Sequence, residues 1–161
     1  MTKKIALITG VSGQDGAYLA KFLLKKNYKV IGVERRSARS NNWRLEKLKI
    51  NDQVIIEDLD IKEINNIIRI FKKYKINEVY NLAAQSFVHS SFQNPIETCQ
   101  VNAIGVLNLL EVIRNEKRKI KFYQASTSEM FGMHGKKDQD EGTLFHPRSP
   151  YASSKAFAHY T

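Results

Sequence analysis

Along this chain, short apolar runs alternate with longer stretches whose apolar residues return at helical spacing. Ile5-Ala6-Leu7-Ile8 is the first run; it ends in Thr9-Gly10 and yields to an amphipathic stretch carrying Tyr18, Leu19, Phe22 and Leu23 on one side, which reads as strand, turn, helix. Val30-Ile31-Gly32-Val33 predicts a second strand, Val54-Ile55-Ile56 a third and Glu78-Val79-Tyr80-Asn81-Leu82 a fourth, with an isoleucine-rich helix over 61–75 before the fourth. Another helix is predicted over 97–115, preceded by Pro95 where a helix start tolerates proline, and a fifth strand over 120–124. Residues 132–150, with Gly, Pro and charge, predict a loop, and a last helix begins near Tyr151. Strands with apolar side chains at consecutive positions are buried on both faces, so the alternation predicts an α/β fold with a parallel sheet covered on both sides. Neither an internal repeat nor a low-complexity linker interrupts it, and one domain over residues 1–161 is expected.

Gly10, Gly13 and Gly16 stand at the first strand-to-helix junction. A turn without side chains lets the backbone approach a pyrophosphate, and the helix N-terminus behind it faces the negative charge. This placement predicts a Rossmann-like, doubly wound sheet that binds a dinucleotide, and the three-residue spacing of the glycines resembles that of short-chain dehydrogenases. At the end of the second strand sits Glu34, followed by Arg35 and Arg36. A carboxylate there suits the ribose 2′-hydroxyl of NAD, whereas arginines suit the extra phosphate of NADP or a plain surface, so the spacing leaves the cofactor open.

Tyr151 and Lys155 lie four apart at the start of the last helix, one turn from each other on one face. An ammonium so placed stabilises a phenolate and leaves tyrosine as acid or base toward a hydroxyl or carbonyl. Ser126, Thr127, Ser128 and Glu129 follow the fifth strand, at the carboxyl end where doubly wound sheets place their ligand crevice.

The net charge of +10 raises nucleic acid as a partner. The lysines fall at Lys25-Lys26, Lys47 and Lys49, Lys72-Lys73 and Lys75, Lys117 to Lys121, and Lys136-Lys137, with acidic residues nearby and no interleaved aromatic platform, so a solvated basic surface is expected. There is no run of eighteen apolar residues and no secretory signal at the start, so a cytoplasmic protein without a membrane partner is expected. Cys99 is the single cysteine and is expected to be a small buried residue. No metal-ligand spacing occurs, and His89, His134, His146 and His159 are set outside the site.

Thr127, Tyr151 and Lys155 together resemble the hydroxyl, tyrosine and lysine of the short-chain dehydrogenase superfamily, in its extended, sugar-nucleotide-modifying branch. Thr9-Gly10-Val11-Ser12-Gly13-Gln14-Asp15-Gly16, Asp58-Leu59, Tyr80-Asn81-Leu82-Ala83-Ala84-Gln85-Ser86, Phe122-Tyr123-Gln124-Ala125-Ser126-Thr127-Ser128-Glu129 and Pro147-Arg148-Ser149-Pro150-Tyr151 resemble the GDP-mannose 4,6-dehydratase family. The resemblance implies that Gly10, Gly13, Gln14, Asp15 and Gly16 hold the pyrophosphate side of NADP, Asp58 and Leu59 the adenine, and Arg35 and Arg36 the 2′-phosphate. It implies that Leu82, Ala83, Ala84, Gln85 and Ser86 line the cofactor channel, with Tyr151 and Lys155 touching the cofactor as well. GDP-mannose would become GDP-4-keto-6-deoxymannose: Tyr151, helped by Thr127 and Lys155, takes the 4-hydroxyl proton as hydride leaves C4, Glu129 removes the C5 proton, water leaves from C6 and the hydride returns there.

Glu34 departs from the apolar residue expected before the arginines, which keeps NAD open. Asn41-Asn42-Trp43-Arg44 and Gln85-Ser86-Phe87 resemble variants that handle GDP-linked heptose. An epimerase or reductase of the same branch, or a non-catalytic dinucleotide-binding module, is the other reading. The resemblance also implies a homo-oligomer, dimer or tetramer, in the full-length family. A C-terminal substrate domain would lie beyond Thr161, so the chain is expected to be an incomplete NAD(P)-binding domain.

Overall fold

The computed structural model describes residues 3–38, 41–133 and 138–161. His134, Lys136 and Lys137 lie outside the described residues, with part of the expected 132–150 loop. In chain order the strands are β1 (Ile5–Thr9), β2 (Lys29–Glu34), β3 (Val54–Asp58), β4 (Glu78–Asn81) and β5 (Lys121–Gln124). The helices are α1 (Gln14–Lys25), α2 (Trp43–Lys47), α3 (Ile64–Lys73), α4 (Val88–Gln93), α5 (Pro95–Cys99), α6 (Gly105–Arg114) and α7 (Pro150–Tyr160). A π-helical turn, Gln100–Ile104, joins α5 to α6.

All pairings are parallel and the sheet order is β3-β2-β1-β4-β5, so the chain works outward from β1 in one direction and then crosses back to begin the other half at β4. Successive side chains of a strand face opposite sides of the sheet. Leu7 therefore joins Ile31, Val79, Ile67, Ile70 and Leu109 in a core layer beneath α3 and α6. Ala6 and Ile8 join Val30, Ala17, Ala20 and Leu23 in a second layer beneath α1. Two covered faces are why β1 is apolar at consecutive positions, as the sequence predicts.

Several elements differ from expectation for steric reasons. In α1 the buried stripe is Gly16, Ala17, Ala20 and Leu23, while Tyr18 is 61% and Phe22 55% exposed. Small residues let the helix sit close to the sheet, and the aromatics are turned outward. The helix expected over 61–75 starts at Ile64, because Asp60 Oδ1 accepts the Lys62 N–H in a tight turn that buries Leu59 and Ile61. The helix expected over 97–115 starts at Pro95, and Cys99 on it is exposed rather than buried: its neighbour Thr98 occupies the inward position. Residues Pro95–Arg114 have the length and apolar composition of a membrane span, yet Val101, Val106, Leu109 and Val112 of that stretch are buried within the fold. The lysines at Lys25-Lys26, Lys47, Lys49, Lys72, Lys73, Lys75, Lys117, Lys119 and Lys121 are exposed.

At the opposite end of the sheet from the glycine turn, Glu78 is a buried carboxylate at the start of β4. The Tyr80 hydroxyl donates to its Oε2 at 2.8 Å, the Tyr28 hydroxyl to Oε1 at 3.1 Å, and Lys4 Nζ lies 3.5 Å away. Burial pushes the Glu78 carboxyl up, but the two hydroxyls and Lys4 outweigh it and hold it below its ordinary value. Burial, then the bond to Glu78, pushes Tyr80 up to about 12. A tyrosine raised in the folded state stabilises below its unfolded value, and that contribution is lost as pH rises toward its folded one. Tyr80→Phe is therefore expected to cost about 1–2 kcal/mol at pH 7, since it leaves Glu78 one donor short. Denaturant titration should also show a shallower loss of stability between pH 10 and about 12 than in the parent.

Candidate active site

The crevice of a doubly wound sheet opens where neighbouring strands send their connections to opposite faces, and here that point lies between β1 and β4. Thr9, fully buried at the end of β1, donates its hydroxyl proton to Asn81 Oδ1 and accepts the N–H groups of Leu82 and Ala83 at 3.1 and 3.0 Å. The chain leaving β4 is thus capped by a side chain from β1, and the two strands part beyond it. Gly10 turns away with φ +69°, a conformation that L side chains rarely adopt, and its carbonyl accepts the Gly13 N–H at 3.0 Å. A Cβ on Gly16 would stand 2.3 Å from the Gly10 oxygen and 2.8 Å from Val11 Cα, so α1 packs against this turn only with glycine there. Gly13 caps α1 without a side-chain acceptor, leaving the helix start directed at the crevice.

The resulting cleft has a volume of about 1400 Å³. Of the residues proposed from sequence to hold a cofactor, Gly10, Gly13, Arg35, Arg36, Asp58, Leu59, Leu82, Ala83, Ala84, Gln85 and Ser86 line it. Gln14 and Asp15 are exposed on the first turn of α1, and Gly16 is buried behind the turn, so these three are beside the cleft rather than on its wall. Glu34 lines the cleft together with the arginines. No sequence signal points to Asn66 and Arg69 of α3 or to Glu97 of α5, which complete its far wall. Arg69 is committed to Glu57 at 3.3 Å and to the Asp58 carbonyl at 2.7 Å. Arg44 stacks on the Trp43 ring at 4.2 Å and donates to the Ser12 carbonyl at 3.1 Å, tying α2 to the glycine turn.

The open backbone turn and the bare helix start fit the pyrophosphate of a dinucleotide. Gln85 Oε1 is buried and has no hydrogen-bond partner among the described residues, which leaves an acceptor beside the same wall.

The four residues proposed for catalysis lie off the cleft wall: Tyr151 and Lys155 on α7, Glu129 on the 3₁₀ turn Ser128–Met130 against which α7 packs, and Thr127 at the start of that turn. Pro150 occupies the first turn of α7, and Ser149 Oγ caps it by accepting the Ala152 N–H at 3.0 Å. Tyr151 and Lys155 are 7% and 4% exposed. Lys155 Nζ donates to the Ala125 carbonyl just past β5, and burial lowers its pKa to about 8. Thr127 Oγ1 caps the 3₁₀ turn by accepting the Glu129 N–H at 3.3 Å, and Glu129 is exposed.

Two connections are not legible in the sequence. Asn81 Nδ2 donates to Gln124 Oε1 at 2.7 Å, and Gln124 Nε2 donates to the same Ala125 carbonyl that accepts Lys155. A continuous chain of bonds thus runs from Thr9 to Lys155. Asn102, buried on the π turn, exchanges two bonds with the Gln85 backbone at 2.9 and 3.0 Å and reaches Ser154 of α7 at 3.3 Å. It clamps the cleft wall to the helix that carries Tyr151 and Lys155. His159, set aside from the sequence, places Nδ1 3.0 Å from Ser126 Oγ. Among the described residues no group of three or more His, Cys, Asp or Glu side chains is placed to hold a metal ion.

Comparison with known proteins matches residues 7–161 to the family model described as GDP-mannose 4,6 dehydratase. The chain is 48% identical to the GDP-mannose 4,6-dehydratase of Vibrio cholerae serotype O1, over 99% of this chain and 45% of that protein. It is 46% identical to GDP-mannose 4,6 dehydratase 1 of Arabidopsis thaliana, over 98% of this chain and 46% of that protein. The chain therefore spans less than half the length of these curated relatives. Among solved structures it is similar to the UDP-glucose 4-epimerase of Thermus thermophilus in complex with NAD, with 28% identity and a TM-score of 0.82 over 97% of this chain and 49% of that one.

The buried lysine and the tight glycine turn each have a measurable consequence. Between its folded value of about 8 and its ordinary 10.5, Lys155 binds fewer protons folded than unfolded, so the protein without ligand should gain stability as pH rises through that window. Lys155→Met should remove this rise and should stabilise the ligand-free fold at pH 7 by up to about 3 kcal/mol, read by denaturant titration. Gly16→Ala should cost about 1–3 kcal/mol, seen as a lowered thermal midpoint, because the backbone of Gly10 and Val11 must move.

Proposed function

The chain belongs to the GDP-mannose 4,6-dehydratase family, and from that premise we propose that it is the cofactor-binding and catalytic half of an enzyme that removes water from GDP-mannose. The observation that carries this reading is the bonded chain joining the glycine-turn cleft to Lys155, because it ties a dinucleotide site to an acid–base pair. A further C-terminal region would hold the guanine and the sugar.

Gly10 and Gly13, with the start of α1, bind the pyrophosphate; Asp58 and Leu59 bind the adenine, and Leu82 to Ser86 form the channel wall. Bound there, the nicotinamide supplies an acceptor and later a donor of hydride, so the overall reaction involves no net oxidation. Tyr151 takes the proton of the sugar 4-hydroxyl, with the Lys155 ammonium one turn away stabilising the phenolate and Thr127 bonding the same oxygen. A ketone at C4 acidifies the C5 proton, and Glu129, exposed on its turn, is free to reach the sugar and remove it as water leaves C6. An epimerase has no need of that second base.

NADP is the favoured cofactor, since Arg35 and Arg36 both line the cleft where β2 ends. Glu34 in the same wall, and NAD in the Thermus epimerase, support NAD as the alternative. A GDP-heptose substrate is the second reading: Asn41 lines the cleft, and Arg44 beside it bonds the glycine turn.

Calorimetric titration with NADP+ and with NAD+ tests the cofactor reading, and tighter binding of NADP+ is expected. With the C-terminal region joined to the chain, mass spectrometry after incubation with GDP-mannose should show the loss of one water. Glu129→Gln should lower that turnover by about 100-fold or more while leaving dinucleotide affinity unchanged. Full turnover by this variant, or net consumption of NADPH, would remove the dehydratase reading; dinucleotide binding without any turnover when the C-terminal region is present would favour a binding module.

A further inference from the structure

We infer that Glu97 is a positioning residue that sets the cofactor preference of the cleft, by holding Arg35 away from the place where a ribose 2′-phosphate would sit. This rests on the dinucleotide reading above and concerns a residue that the catalytic scheme does not use.

Glu97 stands on α5 and Arg35 follows β2, so the two come from elements far apart in sequence, and both line the cleft. Glu97 Oε1 lies 3.7 Å from Arg35 Nη1. Its carboxylate is fixed from the other side, since Lys62 Nζ donates to both oxygens at 3.0 Å and is itself 3.8 Å from Asp60 Oδ2. The pair therefore spans the cleft from a pinned carboxylate to an arginine on a loop.

A carboxylate and a phosphate compete for the same planar guanidinium face. A dinucleotide with a 2′-phosphate must draw Arg35 off Glu97 before it can use that cation. A dinucleotide without the phosphate meets no such cost. The Arg35 side chain is 68% exposed and that of Glu97 41%, so water screens the pair and the competition is small enough to be overcome. Glu97 thus biases the cleft toward the unphosphorylated cofactor, against the bias of Arg35 and Arg36.

Calorimetric titration of the whole chain with NADP+ and NAD+ tests this in the parent, Glu97→Gln, Arg35→Gln and the double variant. Glu97→Gln is expected to tighten NADP+ by about two- to fivefold, the range of an exposed ion pair, with little change for NAD+. In the Arg35→Gln background the same substitution should change neither affinity, which a merely structural role for Glu97 would not produce. Glu97→Asp, with a shorter reach and the charge kept, should shift NADP+ the same way by less. Equal changes for both cofactors, no change in either, or an undiminished effect without Arg35 would overturn the inference while leaving the cofactor reading intact. Failure of every form to bind either dinucleotide would overturn both.

Discussion

The Thr9 hydroxyl is the point on which the site depends. Its proton goes to Asn81, and its lone pairs satisfy two backbone N–H groups, Leu82 and Ala83, at the place where β4 stops pairing with β1. Buried amides without partners are costly, so strands normally separate only where water reaches them. Here one side chain replaces the lost ladder bonds and lets the two strands diverge inside the fold. Gly10 then turns toward β2, its N–H bonded to the Val33 carbonyl, and the cleft opens between the diverging segments.

What happens on the far side of Asn81 follows from the same constraint. Its amide passes the connection to Gln124, whose own amide shares the Ala125 carbonyl with Lys155. The ends of β1, β4 and β5 and the helix α7 are therefore joined by polar side chains in a region otherwise built from apolar contacts. The lysine is held where burial disfavours its charge, which costs the ligand-free fold stability. Asn102 braces the arrangement from behind, and the π turn is what brings its side chain between Gln85 and Ser154.

The sheet is legible in the sequence because β1 and β2 are covered on both faces and must be apolar at consecutive positions, and the glycine turn because Gly10 and Gly16 answer to backbone contacts that no other residue satisfies. Tyr151 and Lys155 can be paired by spacing, but the carbonyl that holds Lys155 belongs to a segment thirty positions earlier and leaves no periodic mark. The face of α1 differs from expectation for a related reason: hydrophobicity marks Tyr18 and Phe22, whereas close approach to the sheet selects Ala17 and Ala20. Exposure of Cys99, the late start of α3 and the charges of Arg69 and Glu97 across the cleft all depend on which way a neighbouring element turns its side chains, and composition is silent on that.

Hydrogen–deuterium exchange of the whole chain, with and without NADP+, tests most directly whether the parting of β1 and β4 creates the cofactor site. Added protection is expected at residues 10–16 and 82–86, and none along the outer edge of β5. Protection confined to other segments, with those two unchanged, would contradict it.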